Sequence, residues 1–128
     1  MSYLNPVVTC SLQFIQIGEV DTVNERFQAI IELEAKWEDN KIPDNSLNKI
    51  FQSKDWKEWD PKIFIENSLF DKNNIEEITF FATKISNTIQ VTETRIIKGS
   101  FWEKMELNDF PFDIQGLVIK FDIQKYKT

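Results

Sequence analysis

Apolar and polar residues alternate along most of this chain, and the clearest case is the stretch 27–37. Every second residue from Phe27 to Trp37 is apolar, and the residues between them are mostly polar or charged. A helix would put Glu34 and Lys36 on or beside its apolar stripe, whereas a strand sorts nearly every residue onto the correct face. The pattern therefore predicts one long strand.

A second alternating run starts at Val8, and its phase changes near Phe14. Ile15 and Ile17 continue the apolar pattern on the opposite face. A β-bulge or a change of packing partner would explain such a shift. The segment 18–22 is then expected to connect this strand to the long one.

Shorter strands and turns fill the rest of the chain. Two β-branched and aromatic runs, 75–85 and 88–97, are separated by Ser86-Asn87, which predicts a hairpin, and Gly99 is expected to bend the chain after it. In total, roughly seven to eight closely spaced strands predict an all-β sandwich. The remaining predicted elements are a short helix starting at Ser46 in the loop 40–51, a short strand at 63–65, a polar turn at 71–74 and a last strand at 117–123.

Composition excludes several classes of function. The chain has 128 residues, 41% of them hydrophobic, which suits a single domain, 1–128, with its own core. A net charge of -6 without a clustered Lys/Arg face argues against nucleic acid or an anionic membrane surface as a partner. No stretch approaches the length of a membrane span, and the N-terminus lacks the features of a signal peptide. We therefore expect a soluble chain that is intracellular if the sequence is complete.

Catalytic and metal chemistry lack their usual residues. The chain has no histidine and a single cysteine, Cys10, which removes the common zinc ligands, His-based catalysis and an internal disulfide. Cys10 lies on an apolar strand face and is expected to be an inert core residue. The chain has 21 acidic residues, so some carboxylate pairs must arise by chance, and such a pair is no argument for acid–base catalysis. We predict no enzyme, no cofactor and no resident metal.

Three short motifs stand out by their order and spacing. In the motif around Pro111, the proline ring fixes its own backbone and pushes Phe110 into an extended conformation. This makes a rigid turn that leads into the last strand. The first is Trp37-x-Asp39 at the end of the long strand; the second is Trp59-x-Pro61, followed by Asn67; the third is Phe110-Pro111-Phe112-Asp113-x-Gln115.

Together these motifs resemble the extracellular ligand-binding domain of the pentameric ligand-gated ion channels, the Cys-loop receptor superfamily. The resemblance covers about 7–126 and implies an immunoglobulin-like β-sandwich of the type found in neurotransmitter-gated channels. It implies homo-oligomerisation or a protein partner. It also implies that the chain lacks the last strands of the family domain and its membrane helices. A receptor fragment of this kind would lie on the extracellular face of a membrane.

The chain departs from the family at two sets of positions. The cysteines that bracket the third motif in animal members are replaced by Glu103 and Leu117, so burial alone must hold that loop. Aromatic residues that hold quaternary ammonium ligands in the family by cation–π attraction are also replaced. Their equivalents here are Glu32, Glu66 and Gln124, while Tyr126 matches a family tyrosine.

Two functional hypotheses stay open. In the first, the chain assembles into a ring and holds a small amine or Ca²⁺ at a subunit interface near Glu32, Glu66 and Tyr126, with Glu34 nearby. In the second, ligand binding is lost and the chain is an adaptor that docks through open strand edges and the loop 110–115.

The motif residues also have a purely structural interpretation. The tryptophans and Pro61 would pack the core, and Asn67 would satisfy loop backbone. The rings of Phe110 and Phe112 would seal one end of the sandwich, leaving Asp113 as the loop residue that faces a partner.

Overall fold

A computed structural model of the chain describes residues 6–69 and 74–103, together with the backbone of 121–123. These residues form eight strands and two short 3₁₀ turns and contain no α-helix, so the prediction of an all-β chain is confirmed. The elements are β1 (Thr9–Asp21), β2 (Arg26–Glu38), the turns Asp44–Ser46 and Ser53–Asp55, β3 (Ile50–Gln52), β4 (Ile63–Ile65), β5 (Ser68–Leu69), β6 (Ile75–Ile85), β7 (Thr88–Trp102) and β8 (Phe121–Ile123).

Strand β2 is the long strand that the alternating pattern predicts. Its side chains alternate between buried and more exposed along all 13 residues. Glu32 and Glu34 lie on the half-buried face, opposite the apolar set. The buried residues are Phe27, Ala29, Ile31, Leu33, Ala35 and Trp37, each no more than 3% exposed.

Strand β1 continues further than predicted. The alternation does change phase, because Ile15 and Gln16 are both exposed between the half-buried Phe14 and Ile17. The predicted connection at 18–22 is wrong, since the strand continues to Asp21. The turn follows Asp21 and precedes Arg26. There the Asp21 carboxylate accepts hydrogen bonds from the Asn24 backbone N–H at 3.1 Å and from the Asn24 side-chain amide at 2.8 Å.

Strands β6 and β7 form the predicted hairpin around Ser86-Asn87. Ser86 has a φ of 57°, the left-handed value that short hairpin loops require, and the Thr88 hydroxyl donates to the Ile85 carbonyl at 3.1 Å. The bend predicted at Gly99 is wrong, because β7 passes through Gly99 and continues to Trp102.

The region between β2 and β6 agrees with the predictions only in part. The helix predicted to start at Ser46 is wrong, since a single 3₁₀ turn ends there. Asn48 then adopts a φ of 61° and donates its N–H to the Ala82 carbonyl at 2.8 Å, which leads the chain into β3. Strand β4 is the predicted strand at 63–65. Of the predicted turn at 71–74, only Asn74 belongs to the described residues, and of the predicted last strand only β8 does.

The strands pair in two sheets. Strands β1, β2, β7, β6 and β3 are neighbours in that order, β5 pairs with β7, and β4 pairs with β8. Strands β5 and β7 pair antiparallel with Ser68 opposite Phe101, and β4 and β8 pair antiparallel with Ile63 opposite Ile123. Strands β2 and β7 are also antiparallel, because Asp39 N–H donates to Ile89 at one end and Glu103 N–H donates to Glu25 at the other.

The chain divides into two compact units, which we call unit 1 and unit 2. The long strands β1, β2 and β7 each contribute residues to both. Unit 1 consists of Met1–Gln13, Glu32–Asp60 and Glu76–Ile96, and unit 2 consists of Phe14–Ile31, Pro61–Ile75 and Ile97–Thr128.

Unit 2 has a core built around phenylalanine. The rings of Phe27 and Phe101 stack with centroids 5.5 Å apart, and Phe14 lies 6.4 Å from Phe27. Ile63 and Ile65 of β4 are also buried. Each fully buried side chain of this size contributes about 1.5–3 kcal/mol to stability, so these rings and β4 together hold the unit.

Candidate functional site

The first two motifs place their tryptophans in an aromatic cluster of unit 1. Trp37 is 3% exposed and meets the rings of Trp59 and Phe80 edge-on, at centroid distances of 5.6 Å and 6.3 Å. Trp56 stacks on Phe80 at 5.1 Å and meets Phe51 edge-on at 5.5 Å. The Trp56 indole N–H donates to the Trp59 carbonyl at 3.3 Å, which ties the second motif to the rings below it. The geometry is that of a packed core.

Asp39 organises the chain where β2 ends. Its carboxylate accepts the Lys41 backbone N–H at 3.0 Å, and its own N–H donates to the Ile89 carbonyl at 3.0 Å. The Asn40 side-chain carbonyl accepts the Ile89 N–H at 2.9 Å. These bonds hold the end of β2 to the start of β7.

Pro61 and Asn67 are buried in unit 2. Asn67 is 1% exposed, and its side-chain amide donates to the Trp102 carbonyl at 3.1 Å. The Trp102 N–H returns a bond to the Asn67 carbonyl at 3.0 Å. Asn67 therefore clamps the segment after β4 against the end of β7, with the exposed Glu66 next to it in the chain.

Of the four predicted ligand residues, the structure describes two. Glu32 belongs to unit 1 and Glu66 to unit 2. Gln124 and Tyr126 lie outside the described residues, as does the whole loop of Phe110, Pro111, Phe112, Asp113 and Gln115.

Around Glu32 the charges are only partly paired within β2. Glu34, two residues further on the same face, lies 3.2 Å from the Lys36 ammonium group. No group of three or more acidic, cysteine or histidine side chains in the described part of the chain is arranged to hold a metal ion.

Sequence reasoning missed a buried charged pair on β7 in unit 1. Glu93 is 1% exposed and Arg95 is 8% exposed, and their charged groups approach to 3.7 Å. Arg95 also reaches the Glu76 carboxylate at 3.1 Å. The alternation along β7 could have indicated that both residues are buried, because they share a face with the apolar Val91 and Ile97.

Glu93 also affects the single cysteine. Burial raises the pKa of the Cys10 thiol above its ordinary value, and the negative charge of Glu93 raises that pKa further. The thiolate form is therefore disfavoured, which agrees with an inert cysteine rather than a nucleophile.

Comparison with known proteins identifies a family for the whole arrangement. A family model described as the neurotransmitter-gated ion-channel ligand binding domain matches residues 4–128. The predicted resemblance and the predicted all-β sandwich of this type are confirmed. No curated protein matches the chain.

The family sets the broad biological context. It is an extracellular domain of membrane receptors, its members make subunit contacts in oligomeric channels, and it is not an enzyme family. None of the described residues forms a helix long and apolar enough to cross a membrane.

Proposed function

Because the chain belongs to the neurotransmitter-gated ion-channel ligand-binding domain family, we propose that it is a single non-catalytic binding module that associates with copies of itself. It holds a small cation where two subunits meet. The observation that carries this proposal is the family match over 4–128. The absence of histidine from the chain and the raised pKa of Cys10 support a binding role over a catalytic one.

Glu32 is the residue most suited to meet a cation in this proposal. It projects from the half-buried face of β2, at the position where the family resemblance puts a ligand-contacting aromatic. A carboxylate there replaces the cation–π attraction of a ring by direct charge attraction, which suits a primary ammonium group or Ca²⁺. Its neighbour Glu34 is already engaged by Lys36.

Glu66 would supply a second carboxylate from another part of the fold. The adjacent Asn67 is buried and hydrogen-bonded to Trp102, which fixes the backbone next to Glu66. The Glu66 side chain is exposed. Gln124 and Tyr126 complete the proposed set by their positions in the motif pattern.

Light scattering combined with calorimetric titration tests this function. We expect an oligomer at micromolar concentration that binds propylammonium or Ca²⁺. Glu32→Ala and Glu66→Ala should each weaken binding at least about tenfold, because a charge-assisted contact contributes about 1.5–3 kcal/mol. Glu34→Ala is the matched control, because it removes the same charge from the same face. It should change the affinity by less than about threefold.

A strict monomer that binds neither cation would refute this function. Equal losses in the Glu32 and Glu34 variants would also contradict it, because they would indicate a general effect of net charge rather than a site.

A second candidate, an adaptor without a ligand, is favoured by the position of β1. This strand of 13 residues is the terminal strand of its sheet among the described residues. A terminal strand can accept a partner's strand through its free backbone groups. In this alternative the loop 110–115 is a second contact surface, with Asp113 facing the partner.

The same variants separate the two candidates. For an adaptor, Glu32→Ala and Glu66→Ala leave self-association or partner binding unchanged in light scattering, whereas Asp113→Ala weakens it. If the Glu32 variant loses cation binding and Asp113→Ala has no effect, the result would support the ligand-binding module instead of the adaptor.

A further inference from the structure

Unit 2 carries a cleft of about 250 Å³ on the strands β1, β2 and β7. Neither Glu32 nor Glu66 lines it. Its volume is below the range of about 300–1,000 Å³ typical of sites for drug-sized ligands, so its occupant must be small. The lining residues are Gln16, Gly18, Gln28, Ala29, Ile30, Asn74, Lys98, Gly99 and Ser100.

Two glycines allow this cleft to exist. A Cβ at Gly18 would stand 3.4 Å from the Gln28 Cβ, and a Cβ at Gly99 would stand 2.5 Å from the Asn74 side-chain oxygen. At Gly99 even a methyl group would displace Asn74, whereas at Gly18 a methyl group would make an ordinary contact and only a larger side chain would fill the cleft. Glycine within a strand marks a place where something approaches the backbone closely.

The wall at Asn74 is held in place. Its side-chain amide donates to the Leu69 carbonyl at 2.6 Å and to the Ser68 hydroxyl at 3.5 Å. A cleft whose wall is already ordered requires less ordering when a ligand binds.

The lining has a consistent chemistry. Lys98 is its one charged side chain, and no carboxylate among the described residues forms an ion pair with that ammonium group. The Gln16 and Gln28 amides can each donate two hydrogen bonds, and the Ser100 hydroxyl can donate one. Ile30 adds apolar surface, whereas Ala29 is 3% exposed and contributes little beyond its backbone. One cation, several neutral donors and a short apolar floor match a carboxylate with a small hydrocarbon tail.

An adjoining cleft limits the length of such a ligand. It shares Gln28 and Ser100 with the first cleft, and it is also lined by Glu19, Asp21 and Arg26. Arg26 already pairs with Asp21 at 3.8 Å, and with Glu19 the lining keeps a net negative charge, which disfavours the second carboxylate of a longer molecule. A ligand with a single carboxylate is therefore favoured over a dicarboxylate.

We propose that the cleft between Gly18 and Gly99 binds a small monocarboxylate, with its carboxylate on Lys98 and the Gln16 and Gln28 amides and its tail over Ile30. This site is independent of the cation site proposed above, and either can fail without the other.

Amide chemical-shift titration at constant ionic strength tests the site, with sodium butyrate as the probe. We expect saturable shifts at Gly18, Gly99 and Ser100, and weaker binding of succinate. Lys98→Gln should weaken butyrate binding about tenfold, or about 1.4 kcal/mol, because it removes the one charge-assisted contact in the cleft. Gly18→Leu should abolish the shifts by filling the cleft.

Two controls make the result decisive. Lys84→Gln removes the same charge from an exposed position of β6 and should leave the affinity unchanged. Butylammonium chloride should produce no saturable shift at the three amides. Equal effects of the two lysine variants, equal binding of butyrate and butylammonium, or butyrate binding retained by Gly18→Leu would each overturn the proposal. Lys98→Gln alters only an exposed side chain, so the lysine comparison remains informative even if Gly18→Leu does not fold.

Discussion

Unit 1 and unit 2 share the long strands β1, β2 and β7, yet they differ in the polar groups that they bury. Unit 1 buries the charged pair Glu93 and Arg95, whereas unit 2 buries the neutral amide of Asn67. A buried charge depends on its partner, while a buried amide depends on backbone hydrogen bonds. The two units should therefore respond to different substitutions.

The largest difference is expected from the charged pair of unit 1. Arg95→Leu removes the guanidinium group that neutralises the buried Glu93, and we expect a loss of about 3–5 kcal/mol in the free energy of unfolding. Urea unfolding measures this loss. The double variant Glu93→Leu/Arg95→Leu removes both charges and should recover most of it, because apolar replacement of a buried pair is often close to neutral. Equal destabilisation of the single and double variants would show that charge is not what makes unit 1 sensitive.

A smaller effect is expected from the amide of unit 2. Asn67→Ala removes the donor to the Trp102 carbonyl and should lower the free energy of unfolding by about 1–3 kcal/mol. Asn40→Ala in unit 1 is the matched control, since Asn40 also bonds the backbone but is exposed, so that water can replace it. Urea unfolding of the two variants should rank Asn67→Ala as the more destabilised. The opposite ranking would contradict the idea that burial gives Asn67 its importance.

The smallest effect concerns acid stability at the β1–β2 turn of unit 2. Hydrogen bonds from the Asn24 side chain and backbone, with a weaker contribution from Arg26, lower the pKa of Asp21 below its ordinary value of 3.8. A lowered carboxyl pKa stabilises the fold above that ordinary value, and the stabilisation is lost as the pH falls through the pKa of the folded state. Asn24→Ala should therefore reduce the stability measured by urea unfolding at pH 6 more than that measured at pH 3. An equal reduction at both pH values would show that Asn24 acts only on the shape of the turn.

Alternation predicted some elements of each unit and failed at others. Alternation predicted β2, the β6–β7 hairpin and β4, because a strand with one buried face must place apolar residues at every second position. Gly18 and Gly99 were expected to lie at a connection and at a bend, but both lie inside strands of unit 2. Both positions belong to strands that pair with neighbours in the sheet, and this pairing orders the backbone there. Here Gln28 and Asn74 approach the two positions closely.

The candidate sites were also only partly predictable from the sequence. The motifs identified the family because their spacing is carried by the chain itself. The motifs did not reveal that Glu32 and Glu66 fall in different units. Nor did they reveal the partners of Glu93 and Arg95, although the alternation of β7 placed both on its buried face. The cleft was invisible because its lining comes from separate strands and Asn74.

The amino-acid order alone determined the all-β class, the long strand β2 and the receptor-domain family, since periodicity and motif spacing are local properties of the chain. Only the tertiary structure decided which charges are buried together, which carbonyl accepts the hydrogen bond from Asn67, and that Gly18 and Gly99 border one cleft. Those outcomes depend on which strands become neighbours, and residues far apart in sequence meet only after the sheet has formed.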